Sequence, residues 1–121
     1  MIDKIRRKDI FLADLEGIGS EERGIRPVLI VQNNLGNKHS TTTIIIPFTR
    51  RIENYGLPTH LQIEPFNKMK YKATIMAEQI RVIDKKRLKY RIDKLSDEYM
   101  KKVDYAIAIA IGLKEGREHG K

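Results

Sequence analysis

Two short apolar runs rich in β-branched residues constrain the fold of this chain more than any other feature. Residues 27–33 read PVLIVQN, and residues 42–49 read TTIIIPFT. Their length and composition predict two strands, and NNLGNKHST between them holds three asparagines and a glycine, which favour a turn. Pro27 can begin its strand, because a first residue need not donate to the ladder, while Pro47 predicts an edge or a bulge.

Further strand-length patterns flank these two runs. Residues 9–15 (DIFLADL) mix aromatic and aliphatic side chains, and residues 59–65 (THLQIEP) alternate apolar with polar. Residues 73–84 (ATIMAEQIRVID) predict one long strand, or two joined by a bend, because their alternation breaks near Gln79. The intervening segments 16–26 and 50–58 are predicted loops.

The C-terminal part predicts an amphipathic helix. Ser96 is a suitable N-cap, and apolar side chains then recur at three- and four-residue spacing, so a helix of about residues 97–113 is expected. The tail 114–121 is expected to fray, and a short helix is predicted at residues 85–88. Five or more short strands with one packing helix predict a mainly β chain, a small closed or half-closed β-barrel forming a single domain over residues 1–121.

Composition narrows the classes of function. The chain has no cysteine, no apolar stretch long enough for a membrane span and no apolar leader after its first methionine, so a cytoplasmic protein is expected. The net charge is +8, and residues 67–94 carry ten Lys or Arg against three Asp or Glu. This local excess favours a polyanionic partner, although a solvated lysine-rich face would give the same composition.

No common cofactor or metal motif is present. Glycine-rich phosphate loops and nucleophile elbows are missing, and the three histidines His39, His60 and His119 lack metal-ligand spacing, so neither a metal nor a cofactor is expected. Polar side chains instead stand at the ends of apolar strands, with Arg26 before one strand and Thr49 at the end of the next. Each could be an ordinary strand-end residue, but together such residues could line one groove.

An ordered series of motifs resembles the MazF/PemK family of toxin endoribonucleases from bacterial toxin–antitoxin pairs. The motifs are DIFLADL, GSE, G-x-RPVLIVQN, IIPFTRRI, LPTH and EQIRVIDKKRL, followed by the helix after Ser96. The resemblance implies an SH3-like barrel of the MazF/Kid/CcdB type that forms a homodimer. It also implies sequence-specific, metal-independent cleavage of single-stranded RNA, as by an mRNA interferase, leaving a 2′,3′-cyclic phosphate and a 5′-hydroxyl. The implied partner is an antitoxin with an acidic, disordered segment.

The resemblance also implies site residues. Arg26 and Thr49 match the catalytic pair, and the implied RNA contacts are Ser20, Glu21, Asn33, Pro58, Thr59, Glu78, Gln79 and Arg87. A guanidinium can bind two phosphoryl oxygens at once, which suits attack by a 2′-hydroxyl, but an arginine stays protonated and is a poor general base. His60 or His39 would be a chemically easier base, so the route of the proton stays open.

Some positions depart from the family pattern, and two other functions remain open. Lys8 stands where relatives often have glycine, Arg23 replaces the first of a glycine pair, and Thr41 stands where proline is common. The alternatives are a CcdB-like toxin that poisons gyrase and a basic barrel that binds nucleic acid without cutting it.

Overall fold

A computed structural model describes residues 4–50 and 57–115 of the 121-residue chain. The described part consists mainly of β-strands and ends in a helix, as predicted. The strands are β1 Asp9–Leu15, β2 Gly24–Ile30, β3 Thr42–Thr49, β4 His60–Ile63, β5 Ala73–Met76, β6 Arg81–Asp84 and β7 Leu88–Lys94. The α-helices are α1 Asn34–His39 and α2 Asp97–Ala110, and single 3₁₀ turns span Ala77–Gln79 and Lys85–Arg87. In this part of the chain, no helix is long and apolar enough to cross a membrane.

Strand β3 organises the sheet because both of its edges are paired. One edge pairs with β2, and the other pairs first with β6 and then, through Phe48 and Thr49, with β5. The remaining strands extend the order to β4-β5-β3-β2-β1-β7, and all of these pairings are antiparallel. The sheet curls without closing, so "barrel" describes it only loosely.

Two apolar clusters on the two faces of the sheet hold the fold together. Helix α2 covers one cluster with Met100, Val103 and Ala106, while the second cluster includes Phe11 and Ile45. Successive β3 residues enter different clusters, as strand geometry requires. Each fully buried aliphatic side chain contributes roughly 1.5–3 kcal/mol, which explains why apolar strands of only four to eight residues persist.

Several strands begin and end where the sequence predicts. Pairing with a neighbouring strand gives one strand, β2, an earlier start. Strands β1 and β3 have the predicted bounds, and segment 73–84 forms two strands joined by a 3₁₀ turn. Strand β2, however, begins at Gly24, because residues 24–27 pair with β1 although their composition suggested a loop. Arg26 therefore lies within β2 and not before it, and Pro27 is accommodated where pairing with β3 has not yet begun.

Two further expectations need correction, and one strand, β7, was not predicted. The predicted turn at 33–41 contains α1, which Asn33 caps by accepting a hydrogen bond from the backbone N–H of Gly36 at 2.8 Å. Strand β7 has no apolar pattern, since four of its seven residues are charged, and it forms by pairing with β1 at the edge of the sheet. Helix α2 ends at Ala110 and not near 113, because Gly112 adopts a positive φ of 84° directly after the Ile111 cap.

Lys8 occupies a backbone conformation that favours glycine. Its φ is 83°, and its ammonium contacts Asp97 at the start of α2. We expect Lys8→Gly to have an unfolding free energy about 1 kcal/mol higher than Lys8→Ala, because both lose the ion pair but only glycine relieves the left-handed strain. Urea denaturation checks this, with the same pair of substitutions at Lys89 in β7 as control. An equal or reversed order at position 8 would contradict it.

Candidate functional site

Two adjoining grooves lie where the loop between β1 and β2 meets the end of β3. The first, here the loop groove, has a volume of about 640 Å³ and brings together Ser20, Glu21, Arg26, His60, Glu78 and Gln79. The second, here the strand-end groove, has a volume of about 610 Å³ and includes Arg26, Thr49, Arg50 and Tyr71. Arg26 and Glu22 line both grooves, so they stand at the junction.

Arg26 is held at this junction by three hydrogen bonds. Its Nε donates to the carbonyl of Arg23 at 2.9 Å, and its Nη1 donates to Glu22 Oε1 at 2.8 Å. A longer bond of 3.5 Å runs from Nη1 to the carbonyl of Phe48. The side chain is still 27% exposed, so the guanidinium is oriented by the protein and open to a ligand.

Thr49 lies beside Arg26 because of the register between β2 and β3. Val28 pairs with Pro47, and Arg26 and Thr49 each lie two residues beyond this pair, at the same end of the two strands. Thr49 is only 4% exposed, and it is held on its other side by pairing with Thr74 of β5. The hydroxyl and the guanidinium therefore share the strand-end groove on adjacent strand positions.

Glu78 and His60 form a polar pair on the far wall of the loop groove, and Thr59 hydrogen-bonds to Glu78. His60 Nε2 lies 2.7 Å from Glu78 Oε2. Burial raises the pKa of Glu78, but hydrogen bonds from Thr59, from His60 and within its own backbone outweigh that effect, so the pKa lies below its ordinary value of 4.5. Glu78 is therefore a carboxylate near neutral pH and presents acceptors to the groove.

The lowered pKa of Glu78 makes its contribution to stability depend on pH. Since the pKa is lower in the folded than in the unfolded chain, the contribution is complete above about pH 4.5 and is lost as the pH falls through the folded pKa. We expect Glu78→Gln to be less stable than wild type at pH 7, with the difference shrinking below pH 4.5. Urea denaturation across this range checks it; a difference independent of pH would contradict it.

Gln79 links the two sides of the loop groove. Its Oε1 accepts from the backbone N–H of Glu22 at 3.3 Å, and its Nε2 donates to the carbonyl of Ser20 at 3.4 Å. Glu21 stabilises the same loop by accepting a bond from the Ile18 N–H at 2.7 Å. The polar side chains predicted at 20–21 and 78–79 thus meet in one place, although 57 residues separate Glu22 from Gln79.

Five of the residues considered from sequence lie outside the linings of these grooves, and Thr59 is one of them. Asn33 caps α1 and His39 is the last residue of that helix, at the opposite end of β2. Pro58 lines a shallow surface against α2, with Tyr105. Arg87 binds the carboxylate of Glu16 at 3.0 Å. It directly precedes Leu88, which pairs with Ala13 of β1, and Ala13 pairs on its other side with Arg26. Across residues 4–50 and 57–115, no three His, Asp or Glu side chains are placed to hold a metal ion.

Two features of the site were not assigned from sequence. Glu22 is buried and bound to Arg26, and the only signal for it was its position four residues before that arginine. Arg50 stacks over the ring of Tyr71 at 3.8 Å in the strand-end groove. Neither contact could be read from a local pattern, because each joins the site through tertiary structure.

Comparison with known proteins identifies the family. The sequence model described as PemK-like, MazF-like toxin of type II toxin–antitoxin system matches residues 6–111. The chain belongs to this family. The resemblance drawn from its motifs is therefore confirmed, and the protein is a toxin of the PemK/MazF type.

A curated relative and solved structures agree with this membership. The chain is 49% identical over 120 residues to Endoribonuclease MazF of Staphylococcus saprophyticus, covering 95% of this chain and 98% of the relative. It also resembles MazF of Deinococcus radiodurans (TM-score 0.79, 17% identity, 90% and 97% of the two chains). A mycobacterial endoribonuclease in complex with its cognate antitoxin is similar as well (TM-score 0.75, 24% identity, 91% and 97%). These structural likenesses confirm the predicted toxin fold.

Proposed function

We propose that this toxin is an endoribonuclease that cleaves single-stranded RNA at a specific short sequence, without a metal ion. The observation that carries the proposal is the placement of the Arg26 guanidinium and the Thr49 hydroxyl on neighbouring strands of one open groove. The relative from Staphylococcus saprophyticus, named as an endoribonuclease, supports it. The expected products are a 2′,3′-cyclic phosphate and a 5′-hydroxyl end.

The chemistry needs little from the protein besides positioning and charge. The 2′-hydroxyl of the substrate gives up its proton and attacks the adjacent phosphorus, the bond from phosphorus to the 5′-oxygen breaks, and that oxygen leaves as a hydroxyl with a proton taken from solvent. Arg26 stabilises the negative charge that grows on the phosphoryl oxygens, and Thr49 donates a hydrogen bond to the same phosphate. These two roles explain why both side chains must face one groove.

The proton on the attacking hydroxyl requires a separate acceptor, and the loop groove offers one. His60 lines this groove and pairs with Glu78 at 2.7 Å, an arrangement that orients an imidazole. His39 lies at the other end of β2, which leaves His60 better placed within one subunit. We therefore assign Arg26 to charge stabilisation and His60 to proton transfer.

Recognition of bases is assigned to the polar wall of the loop groove. Glu78 offers acceptors, Gln79 offers a donor and an acceptor, and Ser20 and Glu21 face them across the loop. Such groups suit the exposed edges of unpaired bases, whereas the basic segment 67–94 would bind the phosphate backbone and make affinity depend on salt. Asn33, Pro58, Thr59 and Arg87 are proposed as outer contacts to a longer RNA.

The partners follow from the same surfaces. The basic segment 67–94 suits an antitoxin whose acidic, disordered segment competes with RNA, and a mycobacterial relative was solved with its cognate antitoxin. We further propose that the toxin acts in the cytoplasm as a homodimer, which would place two copies of the groove about a two-fold axis.

Incubation of purified toxin with a long single-stranded RNA in excess EDTA tests the proposed function. Discrete fragments with 5′-hydroxyl and cyclic phosphate ends are expected, and sequencing of the new 5′ ends would supply the recognised sequence. Intact RNA accompanied by inhibition of gyrase would contradict the proposal in favour of a CcdB-like toxin. A mobility shift without cleavage would contradict it in favour of a non-catalytic nucleic-acid-binding protein.

A further inference from the structure

Glu22 is the most strongly held acidic side chain of the site. It is 6% exposed although it belongs to the loop before β2, and Arg26 contacts its carboxylate at 2.8 Å. Side chains from a distant segment fix its backbone, since Gln79 accepts from its N–H and Arg81 donates to its carbonyl at 3.3 Å each. A loop charge exposed to solvent does not need three contacts from three side chains, so we infer that the fold holds Glu22 in a defined position.

The hydrogen bonds of Arg26 indicate what Glu22 does for this arginine. The single N–H of Nε is used by the Arg23 carbonyl, and Nη1 serves Glu22 and, more weakly, Phe48. Within the described part of the chain, Nη2 donates to no residue. Two anchors at different nitrogens of a planar, rigid group fix its plane and the direction of its remaining N–H groups.

We propose that Glu22 is a positioning residue for RNA cleavage, which holds Arg26 so that the Nη2 edge faces the scissile phosphate. This inference rests on the proposed endoribonuclease function. The carboxylate acts through Arg26 and does not itself contact the reacting atoms. Without it, the guanidinium keeps only the Arg23 carbonyl as a short anchor and can rotate away from the position in which it stabilises the transition state.

Positioning can be separated from proton transfer because glutamine keeps a carbonyl oxygen for Arg26 Nη1 but cannot accept a proton at neutral pH. We expect Glu22→Ala to lower kcat by about 10- to 100-fold with a smaller change in KM, since a misplaced group costs rate more than binding. Glu22→Gln should recover kcat to within about 3-fold of wild type and leave the pH profile unchanged, because the hydrogen bond to Arg26 survives.

The test measures kcat and KM across pH for wild type, Glu22→Ala and Glu22→Gln on one fluorescent RNA oligonucleotide. Glu64→Ala, an exposed acidic residue outside both grooves, is the matched control. Thermal unfolding identifies folded variants, and Glu22→Gln alone decides the question if the alanine variant does not fold. The Nε–H proton of Arg26, observed by ¹⁵N NMR, should exchange with water faster in Glu22→Ala than in Glu22→Gln.

Four outcomes are decisive. Recovery of kcat in Glu22→Gln with an unchanged pH profile supports positioning. A glutamine variant as slow as the alanine variant, with one limb of the pH profile lost, overturns the proposal and makes Glu22 a proton acceptor. Wild-type kcat in both variants also overturns it while the endoribonuclease function stands, whereas a wild-type protein that cleaves no RNA shows that the proposed function itself has failed.

Discussion

Arg26→Lys is expected to lower the rate of RNA cleavage at least about 100-fold while leaving the protein folded. Removing a single donor that stabilises transition-state charge typically costs 10²–10³ in rate. Lysine keeps the positive charge but lacks the planar fork, so it cannot bind Glu22 and the Arg23 carbonyl and still present N–H groups to the phosphate. The loss should appear in kcat more than in affinity for RNA.

The matched control for this prediction is Arg23→Lys, in the same loop. Arg23 lines the loop groove, and its side chain is exposed, so we expect its replacement to change cleavage less than about 5-fold at moderate salt. Single-turnover cleavage measures the chemical step, and thermal unfolding shows whether both variants are folded. Near-wild-type cleavage by Arg26→Lys would contradict the charge-stabilising role that we assign to Arg26.

Strands with apolar side chains of their own could be predicted from the sequence. Elements that form only through pairing or capping by other residues could not. Strands β1 and β3 consist mostly of apolar and β-branched residues, so their bounds followed from composition. Strand β7 carries four charges in seven residues, and only the free edge of β1 makes it a strand. Helix α1 is similar, since its asparagines and glycine favour turns until Asn33 caps the first turn.

The candidate site divides in the same way. Arg26 and Thr49 could be paired from sequence because β2 and β3 are consecutive antiparallel strands, so their outer ends meet. Glu22 could not be assigned, since its backbone is held by Gln79 and Arg81, which come from a segment 57 or more residues away. Chain order therefore predicts contacts between sequential strands, while contacts from the β5–β6 turn depend on the complete sheet.

The strand-end position of Thr49 separates its structural role from its proposed chemical role. Its side chain is 4% exposed between β2 and β5, so a change there alters both packing and the groove. Valine keeps the β-branched shape and removes the hydroxyl, whereas serine keeps the hydroxyl and removes a methyl group. Thr49→Val therefore perturbs the proposed chemical role, and Thr49→Ser perturbs the structural role.

We expect the stability and the activity of these two variants to rank in opposite orders. Thr49→Val should cleave RNA about 10- to 100-fold more slowly than wild type, because the phosphate loses a hydrogen-bond donor. Thr49→Ser should keep cleavage within about 3-fold but unfold with about 1 kcal/mol less free energy than Thr49→Val, since a buried methyl group is missing. Single-turnover cleavage gives the order of the cleavage rates, and urea denaturation of the same preparations gives the order of the unfolding free energies. If the serine variant were the slower enzyme, shape at this position and not its hydroxyl would control cleavage, and Thr49 would be a packing residue beside Arg26.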